Sequence, residues 1–205
     1  MPEIMDRQTG LSNLSQTDTD NIQSDTHTLN IQERRFVGKI NLRFDVNNKV
    51  LLNSITAYLG YEVPTTPNRT VQGNSTEVLS LGPDEWLILF KPQSMPNFYS
   101  GLLNAIHKYH TALNDVSDAR TVIRLSGRNA RDILEKGCSL DLHPSQFMQG
   151  YCAQTKFARI GILLNQIDNA PTYDLFVSWS YAHYLWSWLQ DAGYEYGLKV
   201  LPASE

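Results

Sequence analysis

Apolar residues follow two periods along the chain, one of about two residues and one of three to four. The first period indicates half-buried strands and the second indicates amphipathic helices. The first half of the chain predicts, in order, a strand at residues 36–46, a helix at 51–59 that ends at Gly60, a loop at 61–73, a hairpin made of 76–81 and 86–90, and a helix at 94–109.

The second half of the chain repeats this order of elements. It predicts a strand at residues 120–125, a helix from Ser126 to Gly137, paired strands at 155–164 and 173–179, and a last helix capped by Ser180 that ends at Gly193. The simplest interpretation is an α+β fold made by internal duplication of a strand-helix-hairpin-helix unit. We place the two pseudo-repeats at about residues 36–112 and 115–197, within one domain that spans 33–205.

The N-terminal residues 1–32 carry mostly Ser, Thr, Asn, Gln and Asp, with widely spaced aliphatic residues. Such a segment buries too little apolar surface to offset the entropy lost on ordering, so a flexible tail is predicted. The tail is either an arm that orders against a partner or a dispensable extension.

Composition and charge limit the class of protein. The 205 residues include 41% hydrophobic residues, enough for a substantial core. The net charge is −4 and the basic residues are scattered, which argues against a nucleic-acid partner. No apolar run is long enough for a signal peptide or a membrane span, and two cysteines are too few for a disulfide framework, so a cytoplasmic protein is expected.

The glycine pattern bears on cofactors. No two glycines are separated by a single residue, so both the dinucleotide-binding fingerprint and the phosphate-binding loop are missing from the sequence. We therefore expect this chain to bind no FAD, NAD or ATP of its own.

Two groups of residues contain side chains of the types found in metal sites or catalytic sites. His107 and His110 are spaced to share a metal but have no third ligand near them, and a solvated helix face explains them better. Cys138, Asp141 and His143 contain the residue types of a nucleophile, an orienting carboxylate and a base. Local turn hydrogen bonds before a proline explain the Asp141–His143 pair equally well, so no catalytic residue is assigned.

Arg120 and Arg124 alternate along one predicted strand, so both side chains lie on the same face, about 13 Å apart. Arginine binds carboxylates through paired hydrogen bonds. The carboxylates available to this pair belong either to a partner subunit or to this chain, where the candidates are Asp115, Asp118 and Asp141.

Trp186 lies about 140° around the last helix from Tyr181, outside the stripe predicted to be buried. That stripe contains Tyr181, Tyr184, Leu185, Trp188 and Ala192. An outward tryptophan is either a subunit contact or a single exposed aromatic residue, while Trp179 is predicted to be ordinary core. The candidate subunit interface therefore comprises Arg120, Arg124, Asp141, His143 and Trp186.

Five separated motifs carry a family resemblance. They are LGPDEW at residues 81–86, DVSDAR at 115–120, GCSLDLHP at 137–144, GYCAQT at 150–155 and YLWSWL at 184–189. In order and spacing they resemble the gamma subunit family of the heterotetrameric bacterial sarcosine oxidases, and the resemblance covers roughly residues 36–197.

The resemblance implies a fold like the folate-binding domain of aminomethyltransferases and a structural subunit without catalytic groups. It implies alpha, beta and delta partner subunits that hold FAD, FMN and NAD. The complex of that family demethylates sarcosine to glycine and yields hydrogen peroxide and a one-carbon unit that can pass to tetrahydrofolate. The alternative is a free-standing folate-binding module of the aminomethyltransferase type.

One position departs from the family pattern. Relatives tend to carry an arginine followed by Ser-Phe where this chain has Trp179, Ser180 and Tyr181. An anion contact made by that arginine is therefore not transferred to this chain, and the aromatic residue would instead extend an apolar contact.

Overall fold

The computed structural model describes residues 8–12, 28–91 and 94–204. The strands are β1 (Leu29–Arg34), β2 (Gly38–Phe44), β3 (Thr70–Gln72), β4 (Thr76–Gly82), β5 (Glu85–Phe90), β6 (Thr111–Asp115), β7 (Arg120–Ser126), β8 (Cys152–Phe157), β9 (Ile160–Asp168), β10 (Thr172–Ser178) and β11 (Leu198–Val200). The helices are α1 (Lys49–Leu59), α2 (Met95–Ile106), α3 (Ala130–Gly137) and α4 (Ala182–Gly193).

The strands form two sheets that pack face to face between two pairs of helices. The five-stranded sheet has the order β3-β4-β5-β2-β6, and the six-stranded sheet has the order β11-β1-β7-β10-β9-β8. Three clusters of buried apolar residues fill the space between these layers. One lies between the five-stranded sheet and α1 and α2, one between the two sheets, and one between the six-stranded sheet and α3 and α4.

Local signals set the ends of α1. The Asn48 side chain accepts a hydrogen bond from the backbone N–H of Leu51 (3.1 Å), which satisfies one of the free donors at the start of a helix. Gly60 ends the helix with a left-handed φ of 83°, a conformation that glycine adopts without strain. Leu51 and Ile55, one turn apart, are the buried residues of the helix.

The predicted duplication is visible in the order of the strands. The elements β2-α1-β3-β4-β5-α2-β6 and β7-α3-β8-β9-β10-α4-β11 follow the same sequence of types. The orders β3-β4-β5-β2 and β8-β9-β10-β7 match strand for strand. β1 then occupies the place beside β7 that β6 occupies beside β2.

Three predicted boundaries differ from the structure, two because short strands lack the apolar pattern and one because a tight turn has no sequence signal. β3 lies inside the predicted loop at residues 61–73, and β6 spans the predicted junction between the pseudo-repeats. Residues 155–164, predicted as one strand, belong to β8 and β9, which form a hairpin across a tight turn. Ala158 in that turn has a φ of 49°, which is rare for a residue other than glycine and has no sequence signal.

The predicted tail extends too far into the chain. Residues 29–32 belong to β1, where Leu29 and Ile31 are fully buried on the face that packs against α3 and α4. Leu11 is also buried in that cluster. Leu29 and Ile31 alternate as in a strand, but the polar residues around them made this short pattern hard to recognise. Residues 1–7 and 13–27 of the predicted tail lie outside the described residues.

Candidate functional site

Asp174, in the middle of β10, is fully buried and binds two arginines. Its Oδ1 accepts a hydrogen bond from Arg124 Nε (2.7 Å), and its Oδ2 accepts one from Arg124 Nη2 (2.9 Å) and one from Arg34 Nη1 (2.6 Å). About a quarter of each arginine side chain is exposed. The two guanidinium groups therefore approach the same carboxylate oxygen from β1 and β7, next to solvent.

A second polar contact crosses from one sheet to the other. Asn165 in β9 is fully buried, and its Nδ2 donates to Glu77 Oε1 in β4 at 2.7 Å. Asn165 is also the strand neighbour of Asp174, so both contacts belong to one polar cluster between the sheets. The Asn165 Oδ1 atom is buried without a hydrogen-bond partner.

The charge of Glu77 depends on its surroundings. Burial raises the pKa of the Glu77 carboxyl, and the negative charge of Asp174 adds to the rise. The hydrogen bond from Asn165 and the positive charges of Arg34 and Arg124 act in the opposite direction. Burial is the largest of these effects, so the folded state favours the protonated carboxyl more than the unfolded chain does.

A raised pKa predicts a pH dependence of stability for Glu77. Its contribution is fully present below the unfolded pKa of about 4.3 and is lost as pH rises through the folded pKa. We expect the free energy of unfolding of the wild-type protein, relative to Glu77→Gln, to fall between about pH 5 and pH 8. Urea unfolding at both pH values measures this difference. The exposed Glu62→Gln variant is the control, and an equal pH dependence in both variants would contradict the prediction.

The polar cluster borders a cleft of about 230 Å³ between the two sheets. Arg34, Arg124, Glu77 and Lys91 contribute its charged side chains. The uncharged part of the wall is formed by the apolar residues Val37, Leu89, Phe90 and Ile167 and by the polar residues Gln72, Asn74, Ser75 and Thr76.

The structure places the predicted arginine pair in two different surroundings. Arg120 and Arg124 share a face of β7 with Val122, as predicted, but Val122 is buried against the other sheet, so this face is not open surface. Arg124 pairs within the chain, with Asp174, which was not among the predicted carboxylates. Arg120 lines a small cavity with Trp179, and burial lowers the pKa of its guanidinium group.

The segment that contains Cys138, Asp141 and His143 forms a local turn. Asp141 Oδ1 accepts a hydrogen bond from the backbone N–H of His143 (2.9 Å), and His143 Nδ1 lies 2.7 Å from Ser145 Oγ. Asp141 and His143 are exposed, whereas Cys138 is buried beside Thr155, with 3.5 Å between Sγ and Oγ1. The turn hydrogen bond is therefore present, and both predicted interface residues lie at the surface.

The predicted outward position of Trp186 is wrong. Trp186 is 8% exposed and belongs to the cluster between the six-stranded sheet and the helices. The buried stripe of α4 begins at Ala182 and continues through Leu185 and Leu189 to Gly193. Because two of these residues are small, the large aromatic residues gave a misleading stripe.

Three exposed aromatic residues lie just before α4 and in its first turn. Trp179 is 47% exposed, Tyr181 is 51% exposed and Tyr184 is 38% exposed. We call these three residues the aromatic surface. The predictions that Trp179 is core and that Tyr181 and Tyr184 belong to the buried stripe are therefore wrong. Large exposed aromatic residues within six positions are typical of contact surfaces.

The two thiols and the predicted histidine pair are the remaining candidate chemical groups. Both cysteines are free, and burial raises the pKa of the Cys152 thiol to about 12, with Glu77 adding to the rise. His107 and His110 are exposed. Across residues 8–12, 28–91 and 94–204, no group of three metal-ligating side chains is present, and no helix is long and apolar enough to cross a membrane.

The fold has two packed sheets with helices on the outside and is built from a repeated unit. This is a class of α+β fold that is found in aminomethyltransferases. The glycine cleavage system aminomethyltransferase T from Bartonella henselae has this fold, with a TM-score of 0.65 and 7% identity over 86% of this chain and 48% of that chain. The model of the sarcosine oxidase gamma subunit family matches residues 43–195. This chain belongs to the sarcosine oxidase gamma subunit family.

Two family relatives show the extent of the similarity. The sarcosine oxidase subunit gamma of Corynebacterium sp. strain U-96 is 31% identical over 123 residues, which are 60% of this chain and 58% of that protein's length. A chain of the heterotetrameric sarcosine oxidase from Corynebacterium sp. U-96, solved in complex with pyrrole 2-carboxylate, has a TM-score of 0.83 and 25% identity, over 93% of this chain and 96% of that chain.

Proposed function

We propose that this chain is a non-catalytic structural subunit of a heterotetrameric sarcosine oxidase. The observation that carries the proposal is the similarity to a chain of the Corynebacterium sp. U-96 heterotetramer along nearly the whole length of both chains. The two buried free cysteines suit the reducing conditions of the cytoplasm, where we place the complex.

The proposed complex contains alpha, beta and delta partner subunits, which hold FAD, FMN and NAD. It would oxidatively demethylate sarcosine to glycine, with hydrogen peroxide and a one-carbon unit passed to tetrahydrofolate as the other products. In this division of labour the gamma subunit contributes a rigid surface. Its two sheets share a buried apolar cluster, and the contact between Asn165 and Glu77 joins them at one end.

The aromatic surface is the proposed contact with a partner subunit. Trp179 and Tyr181 expose about half of their side chains, although large apolar groups are usually buried in a free-standing protein. Tryptophan and tyrosine are also the residues most enriched among those that dominate binding energy. Asp141 and His143, exposed in their turn, remain proposed polar contacts of the same kind.

Co-expression with candidate alpha, beta and delta subunits tests this proposal. We expect the isolated chain to be colourless and inactive, and to elute with yellow, active protein after size-exclusion chromatography of the co-expressed complex. Preparations of the large subunits without this chain provide the control. Failure to co-elute, or turnover of sarcosine by the isolated chain, would rule the proposal out.

The fold similarity to an aminomethyltransferase favours one alternative, a free-standing folate-binding module. Isothermal titration of the isolated chain with tetrahydrofolate distinguishes the two functions. Saturable binding without partner subunits supports the module, whereas a structural subunit shows none.

A further inference from the structure

The cleft between the two sheets is lined by more cationic than anionic side chains. Three cationic side chains line it, Arg34, Arg124 and Lys91, against one carboxylate, Glu77. Asp174, buried behind the arginines, supplies a second negative charge. The negative charge of Asp168 also acts on Arg124, so these charges balance when Glu77 is ionised and one positive charge is left over when Glu77 is neutral. Burial raises the pKa of Glu77, which favours its neutral form.

The two arginines retain donors for a further anion. A guanidinium group has five N–H donors in a planar fork. In the described part of the chain, Arg34 uses one of its five in a hydrogen bond to a side chain, and Arg124 uses two, all of them to Asp174. Since Nη1 of Arg34 and Nη2 of Arg124 bind the same Asp174 oxygen, the two forks are held close together at the wall of the cleft.

The size and walls of the cleft restrict the ligand. Its volume of about 230 Å³ is below the roughly 300–1,000 Å³ of sites for drug-sized molecules, so a small ligand is indicated. The apolar part of the lining is Val37, Leu89, Phe90 and Ile167, and the uncharged polar part is Gln72, Asn74, Ser75 and Thr76. An anion with a compact apolar body matches both the charged and the apolar parts of the lining, whereas a bare inorganic ion leaves the apolar wall without a partner.

We propose that the cleft binds a small organic monocarboxylate, with its carboxylate between Arg34 and Arg124 and its apolar body against Val37 and Leu89. The buried Asp174 holds both guanidinium groups in place before the ligand arrives, so little side-chain entropy is lost on binding. Glu77 opposes the ligand when it is ionised, because it places a negative charge in the same cleft.

Isothermal titration of the full-length isolated chain with benzoate tests the proposal, with benzamide as the neutral probe of the same shape. We expect saturable benzoate binding and at least tenfold weaker benzamide binding. Arg34→Gln should weaken benzoate binding by about tenfold or more, because a charge-assisted hydrogen bond is lost. Glu77→Gln should strengthen it several-fold at alkaline pH, where ionised Glu77 places a negative charge in the cleft of the wild-type protein.

Matched controls separate this site from general surface charge. Arg43→Gln removes an exposed arginine outside the cleft and should leave benzoate affinity unchanged. If Arg34→Gln fails to fold, the exposed Lys91→Gln variant takes its place, with an expected loss of twofold to fivefold. The proposal is overturned if benzoate binding does not saturate, if benzamide binds equally well, or if the cleft variants match Arg43→Gln.

Discussion

Replacing Asp174 with asparagine is expected to lower the free energy of unfolding by about 3 kcal/mol. Asp174 is fully buried and is the shared partner of Arg34 and Arg124. The amide has nearly the same shape but no charge, so two guanidinium groups close together would repel each other without a carboxylate between them. Both arginine side chains are about a quarter exposed, so water offsets part of the lost stabilisation. The expected loss of stability is therefore at the lower end of the range for buried ion pairs.

Urea unfolding of Asp174→Asn and Asp84→Asn measures this effect against a matched control. Asp84 pairs with Arg43 at 3.4 Å, but both side chains are more than half exposed. The control should lose less than about 1 kcal/mol, as exposed ion pairs usually do. Equal losses in the two variants would show that the buried cluster contributes no more than a surface pair.

The central role of Asp174 was hard to predict because its partners are remote in sequence. Arg124 is 50 residues away and Arg34 is 140 residues away, whereas the predicted mates were mostly the nearest aspartates. One signal was present in the chain. Asp174 interrupts an apolar strand that is buried on both faces, and a charge in such a strand requires a partner. The signal indicates that a pair exists but does not identify the second residue.

The helices and the duplicated order of elements were predictable because they depend on local periodicity. α1, with a polar cap, an apolar stripe and a terminal glycine, carries all of its signals within about twelve residues. The short strands β3 and β6 lack a full apolar repeat and take their conformation from pairing with distant strands. Their existence is therefore a tertiary effect that local patterns do not report.

The orientation of α4 shows how small residues mislead a helical stripe. Ala182 and Gly193 are buried on the inner face, and a stripe centred on the aromatic residues does not include them. The chain also enters the helix through a 3₁₀ turn at Trp179–Tyr181, so the angle from Tyr181 to Trp186 does not follow 100° per residue. Trp186 is consequently buried and Tyr181 is exposed, the reverse of the prediction.

Replacing Trp179 with alanine is expected to weaken association with the partner subunits by roughly 30-fold, if the aromatic surface is the contact. A tryptophan that becomes fully buried at an interface commonly contributes 2 kcal/mol or more, which corresponds to that factor. Because Trp179 is 47% exposed in the isolated chain, most of this effect should appear in binding and little in stability. Titration of the large subunits with the variant chain measures the affinity, and urea unfolding of the isolated variant measures stability.

Tyr194→Ala is the matched control for this experiment. Tyr194 is 73% exposed and follows the C-terminal end of α4, whereas the aromatic surface lies at the other end of the helix. Its loss should leave the affinity within about threefold of the wild-type value, as expected for a residue outside the centre of an interface. If Trp179→Ala binds as tightly as Tyr194→Ala, then another face of the protein contacts the partner subunits. The exposed turn that carries Asp141 and His143 would be the next surface to alter.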